Sequence, residues 1–257
     1  MAYECTRRYW DGVAEKEADA PIGLAEEYTR VQCVAAFMRG LGYLPKSQPI
    51  RLLKTDLWTE GVVRSREVLD HVVRAGACSG YTIQPHGIDI SRVTCKGAAE
   101  HHAGSLVQAD IRGLPYAEES FDMILDMSTI DHVCLREAVN VLAGYRRCLR
   151  PGGVLVLMFA HKEGVLGRGD PAQQGDYFTF PVDVVRTRLG FDFRVVEEYA
   201  VHLLNVRPMA YLVDVARKIR LHLELIIAFQ ILEYSPVSRL LMRLAPMYVV
   251  VAVKTRG

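Results

Sequence analysis

Acids fall where the predicted strands of this chain end. Asp89 closes the strand-like part of GIDIS, Asp110 follows SLVQA, and Asp126 closes FDMILD. In open parallel sheets, ligands bind outside the carboxyl ends of the strands. These carboxylates therefore stand where chemistry is expected. The two oxygens of Asp89, beside Ile90, suit the paired hydroxyls of a ribose. The competing role is an N-cap for the next helix, for which Ser91 is better placed. Asp110, followed by Ile111 and a Leu-Pro pair, is either a ligand contact or a turn acid. The fourth strand end continues through Asp126, Met127 and Ser128 to Asp131-His132. His132 stands beside an acid and has an ordinary pKa near neutrality, so it can act as general base toward a hydroxyl or amine. Alternatively, Asp131 caps the next helix and His132 packs on its first turn. His161, just after the fifth predicted strand, is a second acceptor-side candidate.

The elements that must position these residues alternate. Strand-like segments at 50–57, 82–89, 105–109, 121–126 and 154–160 are separated by helical patterns at 62–75, 91–101 and 135–149. Such alternation predicts an α/β fold with a mainly parallel sheet and helices on both faces. Pro151-Gly152-Gly153 is expected to stop the third of these helices. The pattern then changes to a short helix at 183–189, a strand at 193–199, a long helical stretch at 207–244 and a terminal strand at 248–253. We read residues 1–257 as one domain, with 1–45 as a helical N-terminal cap and 207–244 as a helical insertion. The insertion carries an apolar stripe with Arg207, Arg217, Lys218 and Arg220 around its start. It suits a lid over an apolar substrate, a homodimer interface or a membrane-surface helix. Tyr211 and Phe229 are its candidate substrate-wall residues.

Half of the residues are apolar and 24% are charged, so a packed core is expected. With 31 basic and 30 acidic residues, the net charge of +1 gives no support for a nucleic-acid surface. The six cysteines form no CxxC or other short metal-ligand spacing and read as reduced thiols of a cytoplasmic protein. No metal is expected. The N-terminus lacks the apolar core of a secretory signal, and the longest apolar run is too short and too interrupted to span a membrane.

The run VQADIRGLP followed by FD, the acidic end of the second strand and the turn LRPGG resemble the class I S-adenosylmethionine (SAM)-dependent methyltransferases. The resemblance covers about residues 50–160 at motif level and the whole chain in element order. It implies a Rossmann-like, seven-stranded, mostly parallel sheet whose last strand is antiparallel. It also implies SAM as cofactor and a partly apolar small molecule as substrate, in small-molecule biosynthesis. In the family, an acid at Asp110 accepts from the adenine amine while the Ile111 N–H faces the ring. Residues at Asp126, Met127 and Ser128 lie beside cofactor and acceptor. Family members usually carry a glycine-rich turn after the first strand. Here that turn is LLKTDLWTEGV, with Gly61 alone. Lys54-Thr55-Asp56-Leu57-Trp58 and Ser128-Thr129-Ile130-Asp131-His132 look like a subset with a KTDLF-type turn and an STLDH-type fourth-strand end. By that resemblance Asp56 and Glu60 meet the methionyl ammonium and Lys54 or Thr55 its carboxylate, while Trp58 and Thr59 occupy positions where close backbone approach to the cofactor normally needs glycine. Tyr9-Trp10-Asp11 resembles the opening of many such enzymes, where an N-terminal helix closes over the cofactor. Other chemistry on SAM (aminocarboxypropyl transfer or internal cyclisation) and a non-catalytic binding protein remain alternatives.

Overall fold

A computed structural model describes residues 2–18, 24–62, 67–102, 104–164, 177–203, 211, 215–218 and 220–255. Its centre is one seven-stranded sheet in the order β3-β2-β1-β4-β5-β7-β6. The strands are β1 (Ile50–Lys54), β2 (Ile83–Asp89), β3 (Ser105–Gln108), β4 (Phe121–Met127), β5 (Leu149–Ala160), β6 (Phe193–Val201) and β7 (Met247–Lys254). The first five run parallel. β7, a strand as its β-branched terminal run predicts, inserts between β5 and β6 and is antiparallel to both, as the resemblance implies.

Side-chain alternation along β5 explains why helices cover both faces. Val154, Val156 and Met158 point to one face with Phe37 and Leu41 of α2 (Leu24–Leu41) and Val72. Leu155, Leu157 and Phe159 point to the other with Val141 and Tyr145. The remaining helices are α1 (Ala2–Glu17), α3 (Trp58–Gly61), α4 (Val68–Cys78), α5 (Arg92–Ala99), α6 (Leu135–Cys148), α7 (Val182–Leu189) and α8 (His222–Glu233). Val72 lies on α4, and Val141 and Tyr145 lie on α6.

Three expectations need correction. The helix predicted at 62–75 is described only from Val68, as α4; the single turn α3 ends before it at Gly61, and residues 63–66 fall outside the described residues. Pro-Gly-Gly does not precede β5 but lies inside it. Leu149 already pairs with Phe121, and the register shifts before Val154 pairs with Met123. Gly152, at φ 78°, supplies the left-handed residue that this irregularity uses. The stretch 207–244 is not one helix where it is described. Arg220 has φ 61°, and Pro236 opens a 3₁₀ turn (Pro236–Leu241) after α8. Arg207 and much of 204–214 lie outside the described residues. Among the described residues, no helix is long and apolar enough to cross a membrane.

Glu233 ends α8 fully buried, with its Oε1 accepting from the Leu203 N–H at 2.6 Å. Burial pushes this carboxyl up to about 7 from an ordinary 4.5. Between those values the folded chain keeps a proton that the unfolded chain releases, so stability falls as pH rises through the window. Glu233→Gln keeps the acceptor and removes the titration. Thermal melts should find the variant no more stable than wild type at about pH 4, and more stable than wild type at about pH 8.

Candidate functional site

The carboxyl ends of β1, β2, β3 and β4 open into a cavity of about 620 Å³, roofed by α1 and by residues of α2. Its floor begins with a buried ion cluster. Lys54, the last residue of β1, is 1% exposed. Its ammonium donates to the Asp56 carbonyl at 2.7 Å and to Glu60 Oε2 at 3.1 Å, and it pairs with Asp56 Oδ1 at 3.0 Å. Burial opposes the charge, but the Asp56 and Glu60 carboxylates outweigh it and hold the pKa above the ordinary lysine value. Glu60 is also buried, accepting from the Thr59 hydroxyl and from the Leu69 N–H at the start of α4. One lysine thus ties β1, the turn, α3 and α4 together. An ammonium has three donors; two are hydrogen-bonded and the ammonium also pairs with Asp56, so Lys54, which borders the cavity, braces the turn.

Gly61 serves packing. A Cβ there would run into the Thr94 carbonyl of α5, and a Cβ at Gly97 would run into the Gly61 carbonyl. The glycine that the sequence offers in this turn therefore lets α3 and α5 touch. Thr55, Asp56, Trp58 and Thr59 line the cavity. Asp56 Oδ1 is held by Lys54 and by the Trp58 N–H, whereas buried Oδ2 has no hydrogen-bond partner.

Asp89 reaches the cavity from β2, with Ile90 beside it. Its Oδ2 accepts from the Leu57 N–H at 2.9 Å and its Oδ1 from the Ser91 N–H at 2.8 Å. Each oxygen keeps a lone pair. Burial pushes the carboxyl up to about 7, against the pull of those two N–H groups. Ser91, not Asp89, caps α5. Asp110 and Ile111 also line the cavity, but Arg112 grips Asp110 through its backbone N–H and its guanidinium. A further guanidinium nitrogen reaches Glu137 at 3.0 Å.

At the end of β4, Met127, Ser128 and His132 line the cavity, while Asp126 and Asp131 are buried behind them. Asp126 takes the Thr129 and Ile130 N–H groups and the Tyr145 hydroxyl, fixing the turn that follows the strand. Asp131 accepts from the Ser128 hydroxyl and from the Ala160 N–H at 2.8 Å, so it joins β4 to β5 and does not cap α6. Its backbone carbonyl accepts from the Phe178 N–H, placing Phe178 on the cavity wall. His132 Nε2 lies 4.0 Å from Asp131 Oδ1, and its ring meets Trp10 edge-on at 4.6 Å.

Trp10, Thr6, Val13 and Glu17 of α1 also face the cavity, whereas Tyr9 is 45% exposed and meets Trp10 edge-on at 5.2 Å. Asp11 anchors this helix by accepting from the Ser91 hydroxyl at 2.8 Å and the Val93 N–H at 3.2 Å. Trp10, Arg112, Cys134, Glu137 and Phe178 are among the wall residues to which the sequence assigned no site role. For Trp10 the YWD triplet carried a signal; the others have no motif of their own.

Three substrate candidates lie elsewhere. His161 is fully buried, with Nε2 against the Ala245 carbonyl. Phe229 packs into the core, and Tyr211 is 71% exposed. Among the described residues, none of the 207–244 stretch lines the cavity. No group of acids, histidines and cysteines among the described residues could hold a metal.

Residues 62–157 match the family described as a methyltransferase domain. No curated protein sequence matches the chain. Among solved structures, the methyltransferase chain in the complex with the Trm112 methyltransferase activator from Haloferax volcanii is 14% identical. It superposes with a TM-score of 0.61 over 96% of this chain and 99% of that one. The N-methyltransferase NodS from Bradyrhizobium japonicum, solved with S-adenosylhomocysteine, is 12% identical with a TM-score of 0.57, over 96% and 98% of the two chains. The [4+2]-cyclase SpnF is 17% identical with a TM-score of 0.57, over 87% and 81%. Residues 62–157 therefore match a methyltransferase domain, within a fold of the class I SAM-dependent methyltransferase type.

Proposed function

We propose that this chain is a SAM-dependent methyltransferase acting on a small, partly apolar acceptor. SAM is the cofactor, and the cavity fits it. A volume of about 620 Å³ is in the range that encloses ligands of this size. The observation that carries the reading is Asp56 Oδ2, a buried carboxylate oxygen without a partner beside the cavity. It suits the methionyl ammonium. Thr55 is left to meet the methionyl carboxylate, since Lys54 is engaged with Asp56 and Glu60. Asp89 accepts from the ribose hydroxyls with its remaining lone pairs. Asp110 takes the adenine amine once Arg112 leans toward Glu137, which it already touches. Ile90, Ile111, Met127 and Ser128 wall the nucleoside. Glu60, Asp126 and Tyr9 act through Lys54, the β4 turn and Trp10.

When bound, SAM supplies a methyl group on a sulfonium that is already a good leaving group. The contribution of the chain is to position: in-line alignment at near-attack distance can supply up to about 7–11 kcal/mol. His132, on the wall between Trp10 and Asp131, takes the proton of a hydroxyl or amine acceptor. Phe178 and Cys134 border the same space. A second reading is favoured by Trp58 and Thr59, which replace the usual glycines: the methionyl chain is held so that another carbon is attacked. Mass analysis of the turnover product separates the two. S-adenosylhomocysteine supports methyl transfer, and methylthioadenosine supports the alternative. Absence of SAM binding in calorimetry would leave only a non-catalytic role.

Two further measurements test the assignments. Asp56→Ala should weaken SAM by about 1–3 kcal/mol and leave adenosine unchanged, whereas Asp89→Ala should weaken both. Equal losses for the two ligands in Asp56→Ala would place that carboxylate elsewhere. Because Asp89 is pushed up to about 7, it loses its charge as pH falls through that value. SAM affinity should therefore drop on acidification below about pH 7, and Asp89→Asn should flatten the profile.

A further inference from the structure

Helix α8 is apolar on the face it buries and on the face it leaves bare. Ile226 and Phe229 pack inward on Tyr28 of α2. Leu223, Ile227 and Ile231 repeat at four-residue spacing on the outer side and are 53%, 54% and 69% exposed. Leu221 before them, and Val237, Leu240 and Leu244 after them, are exposed as well. A helix that is apolar all round is ordinarily enclosed by protein or lipid, and exposed apolar surface of this extent marks a docking face.

Charge indicates the occupant. Among the described residues from 215 to 244, the exposed charged side chains are Arg217, Lys218, Arg220, Arg239 and Arg243 against Glu224. Arg239 touches Glu198 at 3.4 Å and is still 58% exposed. A second copy meeting this face across a twofold axis would set basic cluster against basic cluster, because such an interface uses the same patch twice. An anionic bilayer meets both features: its headgroups pair with the basic residues while the Leu and Ile side chains enter the acyl boundary. We propose that α8 and its flanking turns dock this chain on anionic phospholipid surfaces, in the plane of the interface and without crossing it.

Co-sedimentation of the full chain with vesicles tests this. Phosphatidylcholine vesicles are compared with vesicles of phosphatidylcholine mixed with phosphatidylglycerol. The chain should pellet with the mixed vesicles, not with the neutral ones, and salt should release it. Ile227→Glu/Ile231→Glu should abolish pelleting. Arg217→Gln and Arg243→Gln, both exposed, should each weaken it roughly fivefold. Circular dichroism and thermal melts check that each variant is folded. Failure of wild type to bind the mixed vesicles at low salt overturns the proposal, as does equal binding to neutral vesicles. It is also overturned if light scattering finds a wild-type dimer that Ile227→Glu/Ile231→Glu converts to a monomer.

Discussion

The ammonium of Lys54, sealed from solvent at the end of the first strand, is the interaction on which the site rests. Three elements meet at it: β1 supplies the lysine, the turn supplies Asp56, and α3 supplies Glu60. Glu60 in turn receives the Leu69 N–H in the first turn of α4. Taking one member from a buried pair ordinarily costs about 3–5 kcal/mol, because the other is left charged without a partner. The cluster therefore specifies the path of a turn in which backbone flexibility is scarce. Where glycine would let the chain bend by having no side chain, this chain bends around a fixed charge. One oxygen of Asp56 is consumed in that task, and the other is left beside the cavity.

A second chain of contacts organises the roof. Asp11 holds the Ser91 hydroxyl and the Val93 N–H, and the Ser91 N–H holds Asp89. The helix that brings Trp10 over His132 is thus joined to the carboxylate at the end of β2 through a single serine. The roof and the floor of the cavity share a hydrogen-bonded path.

Much of this was legible in the residues. The mainly parallel α/β sheet follows from the alternation of apolar runs and turn signals, because each strand of a covered sheet needs a continuous apolar segment; the antiparallel last strand was implied by the family resemblance alone. Asp89, Asp110 and His132 were readable because strand ends are where a parallel sheet exposes its loops, and Asp56 through the family resemblance; all four line the cavity. What was not legible depends on long-range partners. Glu60 has the composition of a surface acid and is buried only because Lys54 lies beneath it. Arg112 looks like a solvated turn residue and in fact takes the acceptor capacity of Asp110. His161 follows a strand end as His132 does, yet β7 and the segment around Ala245 enclose it. Helical periodicity over 207–244 could not reveal its break, since a positive φ at Arg220 leaves no trace in hydrophobic spacing.

The insertion of β7 between β5 and β6 has a consequence for how the chain acquires its shape. At the edge of the sheet, β6 is paired with β7 alone. During synthesis β6 leaves the ribosome well before the strand that will hold it, and in the interval its backbone donors and acceptors face water or a stray partner. The first five strands can assemble in order of emergence through parallel crossovers, whereas the last two can join only together and late. Pairing of distant segments is the slow part of folding and the part most open to misassembly. The nascent chain is therefore most exposed to aggregation while 193–246 waits for 247–254.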